Sequence, residues 1–238
     1  MMKTEIYIAT HKKTWFPAYE EYIPIEVGSN FREQGLGILR DNIGTNISDL
    51  NRNFCELTAL YWLWKNSKAD VVGLVHYRRY FMKNDDILNS SNFKFSDLKN
   101  TIVLPERINL YKQTKFLKFK VSIASHYALC HYKEDWLKIK EVITELYPAY
   151  LSSFNKVGNS KEGLSPYNMF ISDKRIIDAY CEWLFNILFE VKKKVSINDY
   201  DDYQKRIFGF MSERLFNVYI EKHKGDFEII YLPVKMME

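Results

Sequence analysis

The stretch ADVVGLVHYRRYF, Ala69 to Phe81, constrains the fold more than any other. Val71 to Val75 is a short apolar, β-branched run, the pattern of a strand buried on both faces. It stops at His76-Tyr77-Arg78-Arg79-Tyr80, where a histidine, two adjacent guanidiniums and two phenols follow without a spacer. Unpaired charge is too costly to bury, so the basic residues must mark the point where the strand leaves the core.

The surrounding sequence predicts an α/β sheet. Lys3 to Thr10, KTEIYIAT, reads as a first strand ending in a basic turn, His11-Lys12-Lys13, and a short second strand is expected at Tyr22 to Val27. The Asn-rich LRDNIGTNISDLNRN has turn residues and no periodicity, so it is expected to be a loop with little core of its own. In NFCELTALYWLWK, Asn53 to Lys65, the positions Phe54, Leu57, Leu60, Tyr61 and Trp64 recur at helical spacing. Strand, helix, strand and a charged turn is the order of an α/β sheet, and such sheets bind ligands at the carboxyl ends of their strands.

From Met82 to Val121 the pattern is irregular, with a short strand at Thr101 to Leu104 and a basic segment at Lys112 to Lys120, and a mobile or ligand-ordered loop is expected. Spacing predicts helices over Lys133 to Tyr147, Asp173 to Lys192 and Tyr200 to Lys222, and strands at YNMFIS and FEIIYLPV. No internal repeat or linker divides the 238 residues, which suits a single domain.

The formal net charge of +4 fits an anionic small substrate or an anionic membrane surface. It falls short of a dedicated nucleic-acid binder, and no RNA or DNA motif occurs. The aromatic fraction of 16% is high, as in sites that stack sugars or bases. Three cysteines without a CxxC suit a reducing compartment. No secretory signal pattern and no run of membrane-spanning length occurs, so a cytoplasmic protein is expected, with peripheral contact to a membrane face left open.

Several constellations could carry chemistry. Along an extended segment His76 and Arg78 would project to one side, and Tyr77 and Arg79 to the other. Guanidinium forks match phosphate oxygens, so HYRRYF reads either as a diphosphate clamp or as arginines paired with carboxylates. Asn53 and Glu56 fit a capping box, whereas Asp41 and Asn42 serve no evident turn and could bond a ribose or sugar hydroxyl. Asn168, in an apolar strand, needs partners in the backbone or in a ligand. In YQKRIFGFMSERLFN, Arg206, Glu213 and Arg214 form either a buried ion network or an acid/base site. The basic segment reads as a solvated loop or as a contact to anionic lipid. Metal binding finds little support, because the histidines are dispersed and Asp85-Asp86 and Asp201-Asp202 lie in polar runs.

The phrases DNIGTNISDLNRNFCELTALYWLWKN, VVGLVHYRRYF, YNMFIS, DAYCEWLFNILFEV and YQKRIFGFMSERL, in this order, resemble a bacterial family of capsular and exopolysaccharide glycosyltransferases long filed as a domain of unknown function. The resemblance implies a GT-A-like nucleotide-sugar fold with a mixed, mostly parallel sheet flanked by helices. It implies one domain, with residues 1–121 binding the nucleotide sugar and residues 122–238 forming a helical acceptor part. The implied reaction moves a hexose, with galactose in pyranose or furanose form preferred, from a UDP-sugar to a lipid-linked oligosaccharide in capsule, exopolysaccharide or O-antigen synthesis. Many GT-A enzymes carry Asp-x-Asp after the central strand to bind manganese; here His76-Tyr77-Arg78-Arg79 fills that place, so no cofactor is expected.

On that reading Thr10, His11, Lys12, Lys13 and Asn42 meet the nucleoside side of the donor. His76, Tyr77, Arg78, Arg79, Asn168, Arg206 and Arg214 complete its binding. The base for an inverting transfer is sought first at Glu213, then Asp41, then Glu182. The rival reading is a sugar-nucleotide-binding or scaffolding component of a polysaccharide assembly complex that performs no transfer.

Overall fold

The computed structural model describes residues 2–237. Along the chain come β1 (Thr4–Thr10), β2 (Tyr22–Glu26), β3 (Leu39–Arg40), α1 (Asn51–Phe54), α2 (Leu57–Asn66), β4 (Val71–His76), β5 (Arg79–Lys83), β6 (Asp86–Ile87) and β7 (Thr101–Pro105). There follow β8 (Tyr111–Gln113), β9 (Lys118–Lys120), α3 (Ile123–Cys130), α4 (Lys133–Leu146), α5 (Leu151–Asn159), β10 (Phe170–Asp173), α6 (Lys174–Lys194), α7 (Ile207–Lys222), β11 (Glu228–Leu232) and β12 (Val234–Met236). The chain forms two compact units. The first comprises the residues up to Glu106, Tyr167–Cys181 and those from Phe227 on; the second comprises Arg107–Pro166 and Glu182–Asp226.

The first unit holds a ten-stranded mixed sheet, so the expected fold class is the one found. Its main path runs β11-β7-β10-β4-β1-β2-β3, parallel except where β10 lies antiparallel between β7 and β4. Strand alternation divides the side chains. Ile6, Ile8, Val71, Val75 and Ile171 face one way and share a buried cluster with Tyr80, Phe81, Ile87 and Leu88. Tyr7 faces the other way and meets Trp62 of α2 edge-on at 5.5 Å. Gly73 permits this packing, since a Cβ there would come within 2.9 Å of Ile171 Cγ1 and 3.1 Å of Ile6 Cγ2.

The Asn-rich connection is an ordered loop built on two buried carboxylates. Asp41 has no exposed surface. It accepts from the Gly28 and Ser29 amides at 2.8 and 3.0 Å and from the Ser48 and Thr58 hydroxyls at 2.5 and 2.6 Å. Glu26 accepts from Arg32 Nη1 and the Leu36 amide, each at 2.9 Å. The expected helix from Asn53 is broken at Cys55, whose φ of 53° and ψ of −130° end α1 before α2 begins. Asn53 therefore lies inside α1, and Glu56 makes no capping bond, so the capping box is not formed.

Other differences are local. The expected strand YNMFIS begins only at Phe170, because Tyr167 and Asn168 both take positive φ, 76° and 53°. The stretch after Met82 is more regular than expected, since Arg79–Lys83 is itself a strand paired with β6 and β12. The last long helix begins at Ile207 rather than near Tyr200.

The second unit packs α3, α4, α5, α7 and the later part of α6, with Trp136 of α4 stacked on Phe154 of α5 at 4.6 Å. Helices α3 and α5 lay outside the sequence expectation; α3 is capped by Ser122, whose hydroxyl accepts from the Ser125 amide. Strands β8 and β9 form a separate two-stranded ribbon.

Replacing Asp41 by Ala strands two buried amides and two hydroxyls, and should lower the unfolding free energy by about 3 kcal/mol or more. Urea titration measures this, with Asn42→Ala, whose side chain is half exposed, as the near-neutral comparison.

Candidate functional site

Parallel registry places two basic segments side by side. Strand β1 pairs with β4 from Thr4 opposite Val71 to Ala9 opposite His76, so both strands deliver their following residues to the same edge of the sheet. After β1, the Thr10 hydroxyl donates to the Lys12 carbonyl at 2.7 Å and closes a tight turn. Thr10 is thereby buried as a scaffold residue, while His11, Lys12 and Lys13 are exposed.

After β4 the chain makes a two-residue turn at Tyr77-Arg78, and His76 pairs across the hairpin with Arg79. This revises the alternation expected for an extended segment: His76 and Arg79 are cross-strand neighbours, and Tyr77 and Arg78 form the tip. The Tyr77 amide donates to Ala9 O at 3.2 Å, locking the tip to β1. The Tyr77 ring then gathers the basic side chains. It meets His11 edge-on at 5.2 Å, Lys12 Nζ at 5.3 Å and the Arg78 guanidinium at 5.0 Å.

A third contribution comes from the positive-φ turn before β10. Tyr167 O accepts from His76 Nε2 at 2.6 Å, which fixes the proton on that nitrogen and orients the ring. The Arg79 guanidinium lies 4.5 Å from the Tyr167 ring centre. Asn168 Nδ2 donates to Glu56 Oε1 at 2.7 Å, so the residue after the Cys55 kink reaches the same turn. Tyr167 was not singled out from the sequence. The one local signal was Asn168, a residue type that tolerates left-handed backbone.

Among the described residues neither Arg78 nor Arg79 is paired with a carboxylate, nor are Lys12 and Lys13. Arg79 Nε is buried without a hydrogen-bond partner. Guanidiniums carry no lone pair and do not ligate a metal, so the His76–Arg79 turn does not fit the manganese that Asp-x-Asp would hold. It does fit an anion presenting several oxygens. No three His, Cys, Asp or Glu side chains among the described residues are grouped to hold a metal. Asp86 and Asp201 accept local backbone bonds from Ile87 and Gln204 at 2.7 Å each.

The remaining expected residues are placed as follows. Asp41 is corrected from catalytic carboxylate to structural hub, because its two oxygens already accept four bonds. Asn42 is half-buried in the same loop. Glu182, Arg206, Glu213 and Arg214 belong to the second unit. Glu182 is exposed on α6. Arg206 is exposed, 5.5 Å from the Phe210 ring.

Arg214 is only 4% exposed; its Nη1 donates to Glu213 Oε2 at 2.6 Å and to Phe210 O at 3.1 Å. Nearby, burial together with the Arg214 charge lowers the His126 pKa. Burial pushes the His131 pKa down to about 4 against the raising effect of the hydrogen bond His131 Nδ1 donates to Gln204 Oε1.

Fold and edge together define an α/β protein that concentrates unpaired cations at the carboxyl ends of its parallel strands. The chain belongs to the DUF4422 family, described as a domain of unknown function, which it matches over residues 5–224. It is similar to the solved apo structure of WbbM, described as a bifunctional glycosyltransferase, with 29% identity and a TM-score of 0.88. That similarity covers 99% of this chain and 45% of WbbM, so the chain spans less than half the length of that protein. No curated protein matches the chain.

Inorganic pyrophosphate should raise the thermal midpoint of the wild-type chain. In Arg79→Ala its affinity should fall about tenfold or more, the loss expected for one charge-assisted contact. Isothermal titration of both proteins reads the difference, and equal affinities would remove Arg79 from the anion site.

Proposed function

We propose that this chain is a hexosyltransferase that takes the sugar of a UDP-sugar and passes it to a lipid-linked oligosaccharide, in the assembly of a capsule, exopolysaccharide or O-antigen. The observation that carries the reading is the edge formed after β1 and β4, where among the described residues Lys12, Lys13, Arg78 and Arg79 are in no ion pair, in a chain similar along nearly its whole length to part of a glycosyltransferase. Galactose is the sugar favoured by the family resemblance.

Donor binding is assigned to the first unit. Arg78 and Arg79 hold the diphosphate, joined by His76 when its second ring nitrogen is also protonated, and His11, Lys12 and Lys13 lie on the nucleoside side, with Tyr77 as the ring on which these groups are ordered. Asn42 and Asn168 are assigned to hydroxyls of ribose and sugar. As the bond from the sugar's anomeric carbon to the diphosphate oxygen breaks, negative charge builds on the leaving UDP. Fixed guanidiniums stabilise that charge without reorganising. This is the work a divalent cation performs in transferases that carry one, so turnover is proposed to be metal-independent.

In an inverting transfer the acceptor hydroxyl attacks the anomeric carbon and loses its proton to a base. Glu213 is assigned that role. Its side chain remains partly exposed, and Arg214 fixes its orientation. Asp41 offers no free oxygen, and among the described residues Glu182 has no hydrogen-bond or ion-pair partner that would orient it. Arg206 is assigned to an anionic group of the substrate.

Two measurements test this. Radiolabelled UDP-hexoses are offered with membrane extract as acceptor, with and without excess EDTA. Full transfer in EDTA, lowered about 100-fold or more in Arg78→Ala or Arg79→Ala, is expected. Loss in EDTA with rescue by manganese would overturn the metal-free assignment. UDP-sugar binding without any transfer or hydrolysis would favour the non-catalytic rival. Separately, Glu213→Gln should lower turnover by about 100-fold or more while the donor's Kd stays unchanged; near-normal turnover would move the base elsewhere.

A further inference from the structure

The β8–β9 ribbon has no place in the donor chemistry. It pairs Tyr111 with Lys120, Lys112 with Phe119 and Gln113 with Lys118. Its root is anchored, with the Val121 amide donating to Leu110 O at 3.0 Å and with Leu110 and Ile123 buried. Beyond that root every residue from Tyr111 to Lys120 is exposed. A two-stranded ribbon with both faces in water is marginally stable at best, and two of its aromatic rings meet the ribbon's own lysines, Lys118 Nζ at 4.3 Å from the Tyr111 ring and Lys115 Nζ at 5.5 Å from the Phe116 ring. Yet the tip carries Phe116, 84% exposed, and Leu117, 65% exposed, with Phe119 and Tyr111 just behind them.

The tip is held in shape by groups other than those side chains. The Thr114 amide donates to Leu117 O at 2.8 Å, the Thr114 hydroxyl donates to the same oxygen at 2.9 Å, and the Leu117 amide donates to that hydroxyl at 3.0 Å. Four lysines surround the apolar pair: Lys112, Lys115, Lys118 and Lys120. Among the described residues none of them is in an ion pair. Between Glu106 and Glu134 the sequence contains no Asp or Glu at all, so nothing local neutralises the ribbon.

We propose that the 111–120 ribbon docks the protein on an anionic lipid bilayer. Phe116 and Leu117 enter the boundary between headgroups and acyl chains, and the four lysines sit among the lipid phosphates. The charge selects an anionic surface, and the exposed tip selects a bilayer over a soluble polyanion. A polyphosphate would satisfy the lysines and leave Phe116 and Leu117 in water. Short basic segments with apolar anchors bind membranes through both contributions together. No helix among the described residues is long and apolar enough to cross a membrane. The proposal goes beyond the transfer reaction and does not depend on it.

The test is co-sedimentation of the full chain with phosphatidylcholine vesicles, with and without phosphatidylglycerol, at low and high salt and with no sugar nucleotide present. Binding is expected to the phosphatidylglycerol vesicles alone and to weaken at high salt. Phe116→Ser/Leu117→Ser should weaken it about tenfold or more. Lys115→Gln/Lys118→Gln should weaken it about 25-fold, roughly fivefold for each charge. Both variants change exposed side chains only and should keep the wild-type thermal midpoint, which excludes unfolding as the cause.

Equal binding to both kinds of vesicle, no binding to either, or indifference to the two tip substitutions would overturn the proposal. Tight binding of inorganic polyphosphate that is blind to Phe116→Ser/Leu117→Ser, without vesicle binding, would assign the lysines to a soluble polyanion instead. Sugar transfer that persists in either variant with a soluble acceptor would show that the ribbon and the donor site stand or fall separately.

Discussion

Strand β4 is hydrogen-bonded along both edges, parallel to β1 and antiparallel to β10, and is buried from Val71 to Val75. A strand so enclosed admits no charge along its length, and its neighbours fix its register residue by residue. The first residue able to leave the core is His76. The parallel pairing with β1 then decides what stands beside it: Ala9 ends opposite His76, and the basic turn after Thr10 is brought to the turn after His76. Clustering of cations at this edge therefore follows from hydrophobic burial and register, with no attraction among the cations themselves. Their mutual repulsion is an unfavourable contribution that an anion removes.

Two kinds of carboxylate illustrate how burial sorts acidic residues. Asp41, Glu26 and Glu5 are buried and filled with donors. Glu5 takes the Tyr7 and Ser67 hydroxyls at 2.6 Å each and Lys3 Nζ at the same distance, and Asp41 is bonded four times. Such groups hold loops, because desolvating a carboxylate is tolerated only when its lone pairs are occupied. Glu213 differs, with one ordering guanidinium and a partly open side chain. The cationic edge is the reverse case, since among the described residues none of Lys12, Lys13, Arg78 and Arg79 is in an ion pair with a carboxylate.

Backbone irregularity also shapes the edges of this site. Cys55, Tyr167 and Asn168 are three of the non-glycine residues with positive φ. The first turns Glu56 toward Asn168, and the other two set the Tyr167 carbonyl on His76 and its ring beneath Arg79. Left-handed conformations cost energy for residues with a Cβ, and they persist where surrounding contacts over-determine them. Here those contacts tie the turn before β10 to the end of β4.

The sequence by itself determined the α/β class, strands at Lys3 to Thr10, Val71 to Val75 and Thr101 to Leu104 that the structure matches to within a residue at either end, the presence of the long helices, and the location of HYRRYF at a strand end. These depend on local periodicity and on the cost of burying charge, and both can be read residue by residue. Only the tertiary structure decided that Asp41 is scaffold, that Glu56 serves Asn168 rather than a helix cap, that His76 pairs with Arg79, and that Tyr167 belongs to the site. Each depends on a partner distant in sequence, as Asn168 is from Glu56, and long-range pairing leaves no periodic trace. The ribbon at Tyr111–Lys120 shows the same division: its lysines and aromatics are plain in the sequence, while their shared exposure follows from a fold that gives them no core to enter.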